Sequence, residues 1–543
     1  MQDSTTVKPH IMERQAYLQK EVAEISAIYR RCFPDHTLQL VVEEGDDPAR
    51  TDPVVLDAGQ AVQALHLSSQ YLGRIDLPGP HPNAPVIRAV LRIPRAPTKG
   101  EIANAEAPWR APRVLRPLFR VAPGAYEYIR YTAERFRAGR IRRHNWKKQP
   151  FGKGSPILVP SVQPDAAARP AILIGFHWLE VGGAEKMAFD TVNWALAAGL
   201  RVFVVASVPS IQRLADRLPD HPDVTFIRLD RYLPPRLWPL YLERLAIEEN
   251  IRLIHIHHCS HLYASLAHLR VSVPWIRVLD STHIVEYVDG GYPRMSGVWS
   301  NYIDLHHVIS GELVDFYRDR FHVPHKVKLG RMLTRHDGEV ALPALNMTVG
   351  AKVLRVAFIG RYYYQKRPIV MARTLGALAR WARRNGVELR ATLVGEGPFR
   401  REVEQLVRSY GLGDAVEFLS ASADVPGLLR KSDILLLPSN NEGLALVCYE
   451  AIEQGCIPIS TDVGSQREIV PPGLLVPHDP GAAVRRSVAI VNRLWRDGTF
   501  LAEQGAAMQA CYRRLAADPT AEEVLMPIYR AAATGAPALD DIL

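Results

Sequence analysis

The sequence contains few cysteines and no pair of them at a metal-binding or redox spacing. The five cysteines are an odd number, lie far apart, and include no Cys-x-x-Cys pair. A disulfide framework and a zinc site are therefore unsupported, and a reducing cytoplasm is the expected location. The sequence also lacks an apolar run of transmembrane length, and residues 1–30 are polar without the core of a signal peptide.

Composition is that of an ordinary globular protein, but positive charge is concentrated in one segment. Hydrophobic residues make up 47% and charged residues 23% of the 543 residues. A chain of this length is expected to form about two to four domains. Of the net charge of +9, residues 127–153 supply seven, from nine Lys and Arg against two Glu. One basic segment, rather than a basic protein, therefore has to be explained.

Residues 1–165 differ in pattern from the rest of the chain. Ten prolines between Pro78 and Pro123 predict an irregular stretch, and the basic segment that follows alternates Tyr, Ile and Phe with Arg at roughly helical spacing. We therefore interpret this front region as an accessory α+β region that ends in a linker. Its other predicted elements are a helix over 11–32, strands over 37–44 and 86–93, a helix over 126–146 and a linker over 150–170.

After residue 165, short apolar runs alternate with amphipathic stretches, and this pattern occurs twice. Strands that alternate with helices indicate a parallel sheet covered on both faces. The sequence thus predicts an α/β protein with two doubly wound domains, joined near 341–350, whose ligands bind beyond the carboxyl ends of the strands. The predicted strands are 171–177, 201–207, 224–230, 252–258, 274–280 and 306–310, then 353–360, 388–395, 415–420, 433–439, 456–461 and 473–477.

Two loops of the second domain carry residues suited to a phosphate ligand. Arg361 and Lys366 follow the strand 353–360, and a planar fork with a point charge can bind a diphosphate. A solvated surface loop explains these two charges equally well when they are considered alone. Gly395 and Gly397 follow the next strand and would let the backbone approach a ligand closely.

Two carboxylates eight residues apart follow the strand 433–439. Glu442 lies in a polar turn before Gly443, and Glu450 lies in a predicted helix that begins near Leu444. Helix capping alone could explain Glu442, because a helix N-terminus favours a carboxylate. Glu450 has apolar neighbours in mid-helix, so it requires a ligand, a cation or the cost of burial. Two carboxylates around an anion-binding helix end suit a nucleotide sugar.

The stretch Ser439–Val470 resembles the donor-binding signature of the retaining GT-B glycosyltransferases of family 4, the glycosyl transferases group 1. That signature is a Glu, seven residues and a second Glu, followed by small-x-Gly and a strand. The resemblance also includes the sequences GRYYYQK, LVGEGP, DILLLPS and GGAEK, and covers about residues 170–530. It implies two Rossmann-like domains that face a cleft. The implied divisions are an accessory region over 1–165, an acceptor-side domain over 166–345, a nucleotide-sugar-binding domain over 346–522 and a tail over 523–543 that returns toward the first domain.

The resemblance implies a role for individual side chains. Glu450 should bind the ribose hydroxyls of the donor, and Glu442 the hydroxyls of its sugar. Arg361 and Lys366 should neutralise the leaving diphosphate. His283 should lie beside the donor sugar. Its rivals for that place are His257 and His258 at the end of another strand.

The resemblance also implies roles for backbone groups. Gly182 and Gly183 should bring the backbone of the first domain close to the phosphates or the acceptor. Gly443 should give the ligand room to approach. The backbone N–H groups of Leu444, Ala445 and Leu446 should face the sugar and the phosphate.

The implied reaction moves a sugar from a nucleoside-diphosphate sugar to a hydroxyl of a glycan or lipid-linked acceptor, with retention of anomeric configuration, in cell-envelope or extracellular polysaccharide synthesis. The leaving diphosphate should help to deprotonate the acceptor hydroxyl. No Asp-x-Asp triplet occurs, so no metal and no other cofactor are expected. The sequence departs from the family pattern at Ala445, which replaces a glycine, and in lacking the Asn-Gly element between the domains.

Other functions fit the sequence less well. Neither the G-x-G-x-x-G of a dinucleotide-dependent oxidoreductase nor the P-loop pattern occurs. A nucleic-acid binder is disfavoured because the chain outside the basic segment is nearly neutral. A non-catalytic sugar- or partner-binding protein of the same fold remains the alternative, although binding alone would not require Arg361, Lys366, Glu442 and Glu450 together.

The basic segment has two interpretations. In the first, Tyr128, Ile129 and Phe136 pack a helix on the core and the arginines are solvated. In the second, the arginines meet anionic lipid and the aromatic side chains enter the headgroup layer. The second interpretation would place a cytoplasmic enzyme on the inner face of the cell membrane.

Overall fold

The computed structural model describes residues 7–67, 70–98, 101, 112–145, 169–180, 183–333, 342–535, 539 and 542. Within these ranges the strands form one four-stranded mixed sheet and two parallel sheets of seven and six strands. The strands are β1 (Thr37–Gly45), β2 (Val54–Leu56), β3 (Gln70–Leu77), β4 (Val86–Pro94), β5 (Ala171–Phe176), β6 (Arg201–Ala206), β7 (Val224–Ile227), β8 (Ile251–His257), β9 (Arg277–Thr282), β10 (Leu305–Val308), β11 (Val327–Leu329), β12 (Val353–Ile359), β13 (Glu388–Val394), β14 (Val416–Leu419), β15 (Ile434–Leu437), β16 (Ile457–Thr461) and β17 (Leu475–Val476).

Helices precede, follow and connect these strands. Their bounds in the described ranges are Val7–Cys32, Arg116–Val121, Pro123–Asn145, Gly183–Ala197, Leu229–Tyr232, Trp238–Glu248, Ser260–Ser272, Gly291–Val298, Gly311–Phe321, Pro368–Asn385, Arg400–Ser409, Val425–Arg430, Leu446–Glu453, Gln466–Ile469, Pro480–Arg496, Gly498–Ala517 and Ala521–Thr534. Among them, none is both long enough and apolar enough to cross a membrane.

The two parallel sheets confirm the predicted pair of doubly wound domains. The first sheet has the order β11-β10-β9-β8-β5-β6-β7, and the second has the order β14-β13-β12-β15-β16-β17. The chain changes direction along the sheet between β5 and β8 in the first domain and between β12 and β15 in the second. Ligands of open parallel sheets bind at such switch points. The loops after β12 and β15 therefore lie side by side.

The predicted strands agree with the structure to within a few residues, with one exception. The run 224–230 was expected to be a single strand, but β7 ends at Ile227 and a helical turn covers Leu229–Tyr232. Leu229 and Tyr232 are both fully buried. Residues three positions apart lie on the same face of a helical turn but on opposite faces of a strand. The helical turn therefore lets both Leu229 and Tyr232 reach the core.

The front region contacts both parallel-sheet domains. Helix Val7–Cys32 and the mixed sheet pack on the first domain, where Tyr29 donates a hydrogen bond to the Tyr232 carbonyl at 3.0 Å. Helix Arg116–Val121 packs on the second, with the rings of Phe119 and Phe399 5.4 Å apart. This short helix corrects the expectation of irregular structure up to Pro123, because a proline in the first turn does not interrupt a helix. The predicted linker falls almost entirely outside the described residues.

The basic segment forms the expected helix, but the three side chains that the first interpretation packs on the core lie on its exposed face. Tyr128, Ile129 and Phe136 are 54%, 44% and 76% exposed, so they do not pack it on the core. Tyr126, Glu127, Tyr131 and Ala138 are buried instead. Burial raises the pKa of the Glu127 carboxyl to about 7, against the opposing effect of the nearby guanidinium groups of the second domain and of the helix itself.

The helix Ala521–Thr534 follows the second domain in the chain and packs on the first. Leu525, Ile528 and Tyr529 are fully buried in the same core as the helix Gly183–Ala197. The Tyr529 hydroxyl lies 2.6 Å from His255 Nδ1. The helix Ala521–Thr534 therefore connects the two domains.

Candidate functional site

Glu442 and Lys366 are in direct contact at the switch point of the second sheet. Lys366 Nζ donates a hydrogen bond to Glu442 Oε1 at 2.6 Å, and Ser439 Oγ donates to the same atom at 2.6 Å. Glu442 is only 5% exposed, whereas the Lys366 side chain is 21% exposed. The structure therefore brings together the predicted sugar-binding carboxylate and a predicted diphosphate-binding cation.

The loop that carries Glu442 reaches across to the first domain. A Cβ at Gly443 would lie 2.2 Å from the carbonyl oxygen of His283, and a Cβ at Gly464 would lie 1.8 Å from that of Glu442. Gly464 also has a φ of +56°, in the left-handed region that glycine tolerates. Only glycine fits either contact, so the chain itself places His283 next to the Glu442 loop.

His283 has the environment of a ligand-facing side chain. It is 5% exposed, and neither of its ring nitrogens has a hydrogen-bond partner among the described residues. Burial, with smaller contributions from neighbouring histidines, lowers the pKa of His283 well below its ordinary value. A neutral imidazole in this position can donate one hydrogen bond and accept another.

The two rival histidines are held by protein contacts. His257 Nε2 lies 3.0 Å from the Thr191 hydroxyl, and the His258 ring stacks on Tyr292 at 4.6 Å. Burial lowers the pKa of His258 to about 3. Within the described part of the chain, each rival has one ring nitrogen without a hydrogen-bond partner, whereas both ring nitrogens of His283 lack one. His283 is therefore the best candidate of the three.

Arg361 and Lys366 face different parts of the cleft. The Arg361 side chain lines an open cavity of about 1190 Å³ between the domains, while Lys366 points at Glu442. The approach of a ligand to the backbone of the neighbouring glycines stays a prediction, and the structure shows a packing role for them. A Cβ at Gly395 or Gly397 would lie 2.2 or 2.8 Å from a carbonyl oxygen of the Arg361 loop. These glycines allow two loops to pack together.

Sequence reasoning missed the groups that join the two loops. Arg367 is fully buried with a φ of +45°, and its Nη2 donates to Asn440 Oδ1 at 2.8 Å. The Asn440 backbone N–H donates to the Gln365 carbonyl at 2.6 Å. The sequence signal was weak: a Lys-Arg pair beside a strand end does not show which cation turns inward.

The helix after Glu442 begins at Leu446, two residues later than expected. The Cys448 N–H donates to the Ala445 carbonyl at 2.9 Å, so Leu444 and Ala445 precede the first helical turn. Leu444 and Ala445 are 6% and 5% exposed. The N–H groups of the first turn that precede this hydrogen bond therefore belong to Leu446 and Val447, close to the Glu442 loop.

Glu450 lies on the solvent side of this helix, so of the three possibilities that its apolar sequence neighbours left open, the cost of burial does not apply. Cys448, Ala451 and Ile452 face the core, whereas Glu450 is exposed, about 6 Å along the axis from Leu446. Partial burial and then Glu453 raise the pKa of Glu450, and Lys186 of the first domain opposes them. The apolar neighbours in the sequence occupy other faces of the helix.

The predicted glycine pair of the first domain is only partly described. Gly182 lies outside the described residues, and Gly183 begins the helix Gly183–Ala197. The charge of Lys186, in the first turn of that helix, acts to lower the pKa of Glu450. No group of three or more His, Cys, Asp or Glu side chains in the described part of the chain could hold a metal ion. Independence from metals remains a prediction.

The described residues form a two-domain α/β protein in which Arg361 and Lys366 follow β12, and Glu442 and Glu450 follow the neighbouring strand β15. Residues 350–491 match the family model described as glycosyl transferases group 1. The chain thus carries a domain of that glycosyltransferase family, as the sequence resemblance implied.

Several glycosyltransferases and polysaccharide biosynthesis proteins are similar to parts of this chain. D-inositol 3-phosphate glycosyltransferase from Salinispora arenicola is 32% identical over 170 residues, which are 29% of this chain and 37% of that protein. The Vi polysaccharide biosynthesis protein VipC/TviE of Salmonella typhi is 25% identical over 320 residues, 57% of this chain and 46% of that protein. The chain spans about half or less of the length of these relatives. A solved glycosyltransferase structure from Rickettsia africae has 14% identity and a TM-score of 0.48, and covers 67% of this chain and 98% of that one.

Proposed function

We propose that the protein is a retaining glycosyltransferase that moves a sugar from a nucleoside-diphosphate sugar to a hydroxyl of a glycan or lipid-linked acceptor. The contact between Lys366 and Glu442 at the switch point carries this proposal. It puts a cation for the diphosphate beside a carboxylate for the sugar hydroxyls. Arg361 adds positive potential where the leaving diphosphate develops charge. The N-terminal turn of the helix that follows Glu442 does the same.

The remaining roles follow from position in the cleft. Glu450 faces solvent, where a ribose can reach its carboxylate. Burial keeps the His283 ring neutral, its backbone carbonyl meets the Glu442 loop, and its ring nitrogens, which lack partners among the described residues, offer a hydrogen bond to the transferred sugar. The leaving diphosphate, held by Lys366 and Arg361, takes the proton of the acceptor hydroxyl on the same face of the sugar. Transfer of this kind needs no bound metal.

A non-catalytic carbohydrate-binding protein would use the same fold. Such a protein does not need two cations for a diphosphate. It also does not need a buried carboxylate within hydrogen-bond distance of one of those cations. The Lys366–Glu442 contact, in which Glu442 is 5% exposed, therefore favours the enzyme. Cell-envelope or extracellular polysaccharide synthesis is the proposed setting.

A thermal-shift screen with nucleoside diphosphates and nucleotide sugars tests the donor assignment. At least one nucleotide should raise the Tm, and Glu450→Ala should abolish that shift because lost hydrogen bonds to a charged group weaken binding by about 10–100-fold. Glu503→Ala, at an exposed position of the helix Gly498–Ala517, is the matched control and should keep the full shift. A full shift in the Glu450 variant would refute the ribose role.

We also propose that the protein is cytoplasmic and docks on the inner face of the cell membrane through the helix Pro123–Asn145. Tyr128, Ile129 and Phe136 are exposed on it, and Arg135 beside them is exposed as well. An apolar surface bordered by arginines is suited to anionic headgroups.

Flotation with vesicles of phosphatidylcholine and phosphatidylglycerol tests membrane docking. The triple variant Tyr128→Ser, Ile129→Ser, Phe136→Ser should lose most binding, and vesicles of phosphatidylcholine alone should bind little. Val271→Ser, at an apolar position 84% exposed on another helix, should float like the wild type. Point variants are preferable to removal of residues 1–165, because the front region contributes to both cores. Equal flotation of the wild type and the triple variant would exclude docking by this helix.

A further inference from the structure

The large cavity in the cleft has a third wall, made by the front region. Its volume of about 1190 Å³ lies above the range of roughly 300–1,000 Å³ that is usual for a pocket holding one small molecule. Ala49 and Glu101 line it from loops of the front region, and Arg130 and Glu134 line it from the basic helix. These residues lie outside the segment that matches the glycosyltransferase family.

The basic helix is fastened directly to the donor loops. Glu134 Oε2 accepts hydrogen bonds from the Tyr364 hydroxyl at 3.0 Å and from Asn440 Nδ2 at 3.3 Å. The Arg130 guanidinium lies 3.3 Å from the centroid of the Tyr364 ring, and its Nε donates to Glu134 Oε1 at 3.3 Å. Asn440 lies two residues before Glu442 in the chain. The helix therefore lies against the loops of the proposed donor site and forms the part of the cavity wall next to them.

The first domain forms the opposite wall of the cavity, and hydrogen bonds fix the side chains of this wall in place. Arg213 Nε lies 2.6 Å from Glu180 Oε2, and Glu180 is only 4% exposed. Glu180 also accepts a hydrogen bond from the Gln212 backbone N–H at 2.9 Å. The loop that carries Arg213 is thus pinned by a buried carboxylate, and the cavity has two preformed polar walls.

Positive and negative side chains of the lining differ in number by one. Three arginines and four glutamates line the cavity, and Arg130 and Arg213 each have a glutamate partner within the wall. Such pairs offer donors and acceptors side by side with little net field, as a ligand rich in hydroxyl groups requires. Trp178 and Tyr287 add flat apolar faces, which suit the C–H face of a sugar ring. A phosphate or uronate ligand would instead require an excess of cations.

We propose that this cavity is the acceptor subsite for an uncharged oligosaccharide, and that the front region forms one of its walls through Arg130 and Glu134. The inference rests on the proposed glycosyltransferase function and names the class of its acceptor. The sugar units behind the accepting hydroxyl lie in the cavity, and the accepting hydroxyl points toward Glu442. The front region thereby contributes to acceptor selection.

Saturation-transfer difference NMR on the full-length protein tests this subsite. One probe is a mixture of short gluco-, galacto- and manno-oligosaccharides, and the other is a set of oligogalacturonates of matched length. Each is added with and without the nucleoside diphosphate found in the thermal-shift screen. The neutral mixture should bind, and the oligogalacturonates should bind more weakly.

Two variants and one control locate the binding. Arg130→Ala should weaken binding of the neutral probe about tenfold or more, by loss of a charged hydrogen-bond donor. Ala49→Trp fills the cavity from a half-exposed position and should do the same without touching the core. Arg137→Ala, on the exposed face of the same helix, should have no effect.

Three results would overturn the subsite: no binding of the neutral mixture, stronger binding of the oligogalacturonates, or neutral binding that both variants leave unchanged. None of these results bears on the donor site. If nucleotides bind and the glycan result is negative, only the acceptor inference fails. If no nucleotide binds, the proposed function itself fails.

Discussion

Glu442→Gln should lower the rate of sugar transfer by about 10²–10³-fold, the loss that follows removal of one charged group aimed at a transition state. The carboxylate is buried, accepts hydrogen bonds from Lys366 and Ser439, and lies in the proposed function where the donor sugar meets the diphosphate. The amide keeps the size of the side chain but removes its charge and one acceptor oxygen. Nucleoside-diphosphate affinity should change little, because that ligand has no transferred sugar. The measurement is a comparison of kcat/KM with the dissociation constant of the nucleotide.

Glu417→Gln is the matched control for this variant. Glu417 is exposed on β14 of the same sheet, so it undergoes the same chemical change far from the proposed chemistry. It should retain full activity. An active Glu442→Gln enzyme, or one that has lost nucleotide affinity in proportion to its activity, would contradict the assignment of Glu442 to the sugar.

Gly443→Ala should reduce transfer by about 100-fold or more, as a misplacement near 1 Å can at an active site. The new Cβ would lie 2.2 Å from the His283 carbonyl oxygen, and a backbone atom cannot rotate away. Either the Glu442 loop or the end of β9 must move. Both changes separate Glu442 from the first domain.

The control for the glycine variant is Gly413→Ala. A Cβ there has no atom within 4 Å, and its backbone lies outside the left-handed region. We expect this variant to match the wild type in activity and Tm. Measuring Tm for both variants separates a local clash from unfolding. Wild-type activity in Gly443→Ala would show that the two domains do not meet at this point during catalysis.

The fold could be predicted from sequence because its strands are short, apolar and regularly spaced. Apolar runs such as 171–177 and 353–360 indicate strands buried on both faces. The amphipathic stretches that alternate with such runs indicate the helices that cover the sheets. The order of strands in each sheet could not be read in this way. It places β12 beside β15, and thereby puts the Lys366 loop beside the Glu442 loop.

The contacts that complete the site depend on long-range packing, which leaves no local pattern. Glu134 and Asn440 are 306 positions apart, yet they share a hydrogen bond. Arg367 turns inward while Lys366 next to it faces the cleft. The apolar sequence neighbours of Glu450 left its burial open, because successive residues of a helix point in different directions. Side-chain direction, rather than the composition of the neighbourhood, decides its exposure.

Release of nucleoside diphosphate from a panel of nucleotide sugars, measured in the presence of EDTA, tests the central claim most directly. Turnover of the donor, with water or an added glycan as the acceptor, frees the diphosphate. The structure predicts release from at least one nucleotide sugar, unaffected by EDTA and lost in Glu442→Gln. A protein that binds nucleotide sugars but releases no diphosphate from any of them would contradict the claim and would support a non-catalytic carbohydrate-binding protein.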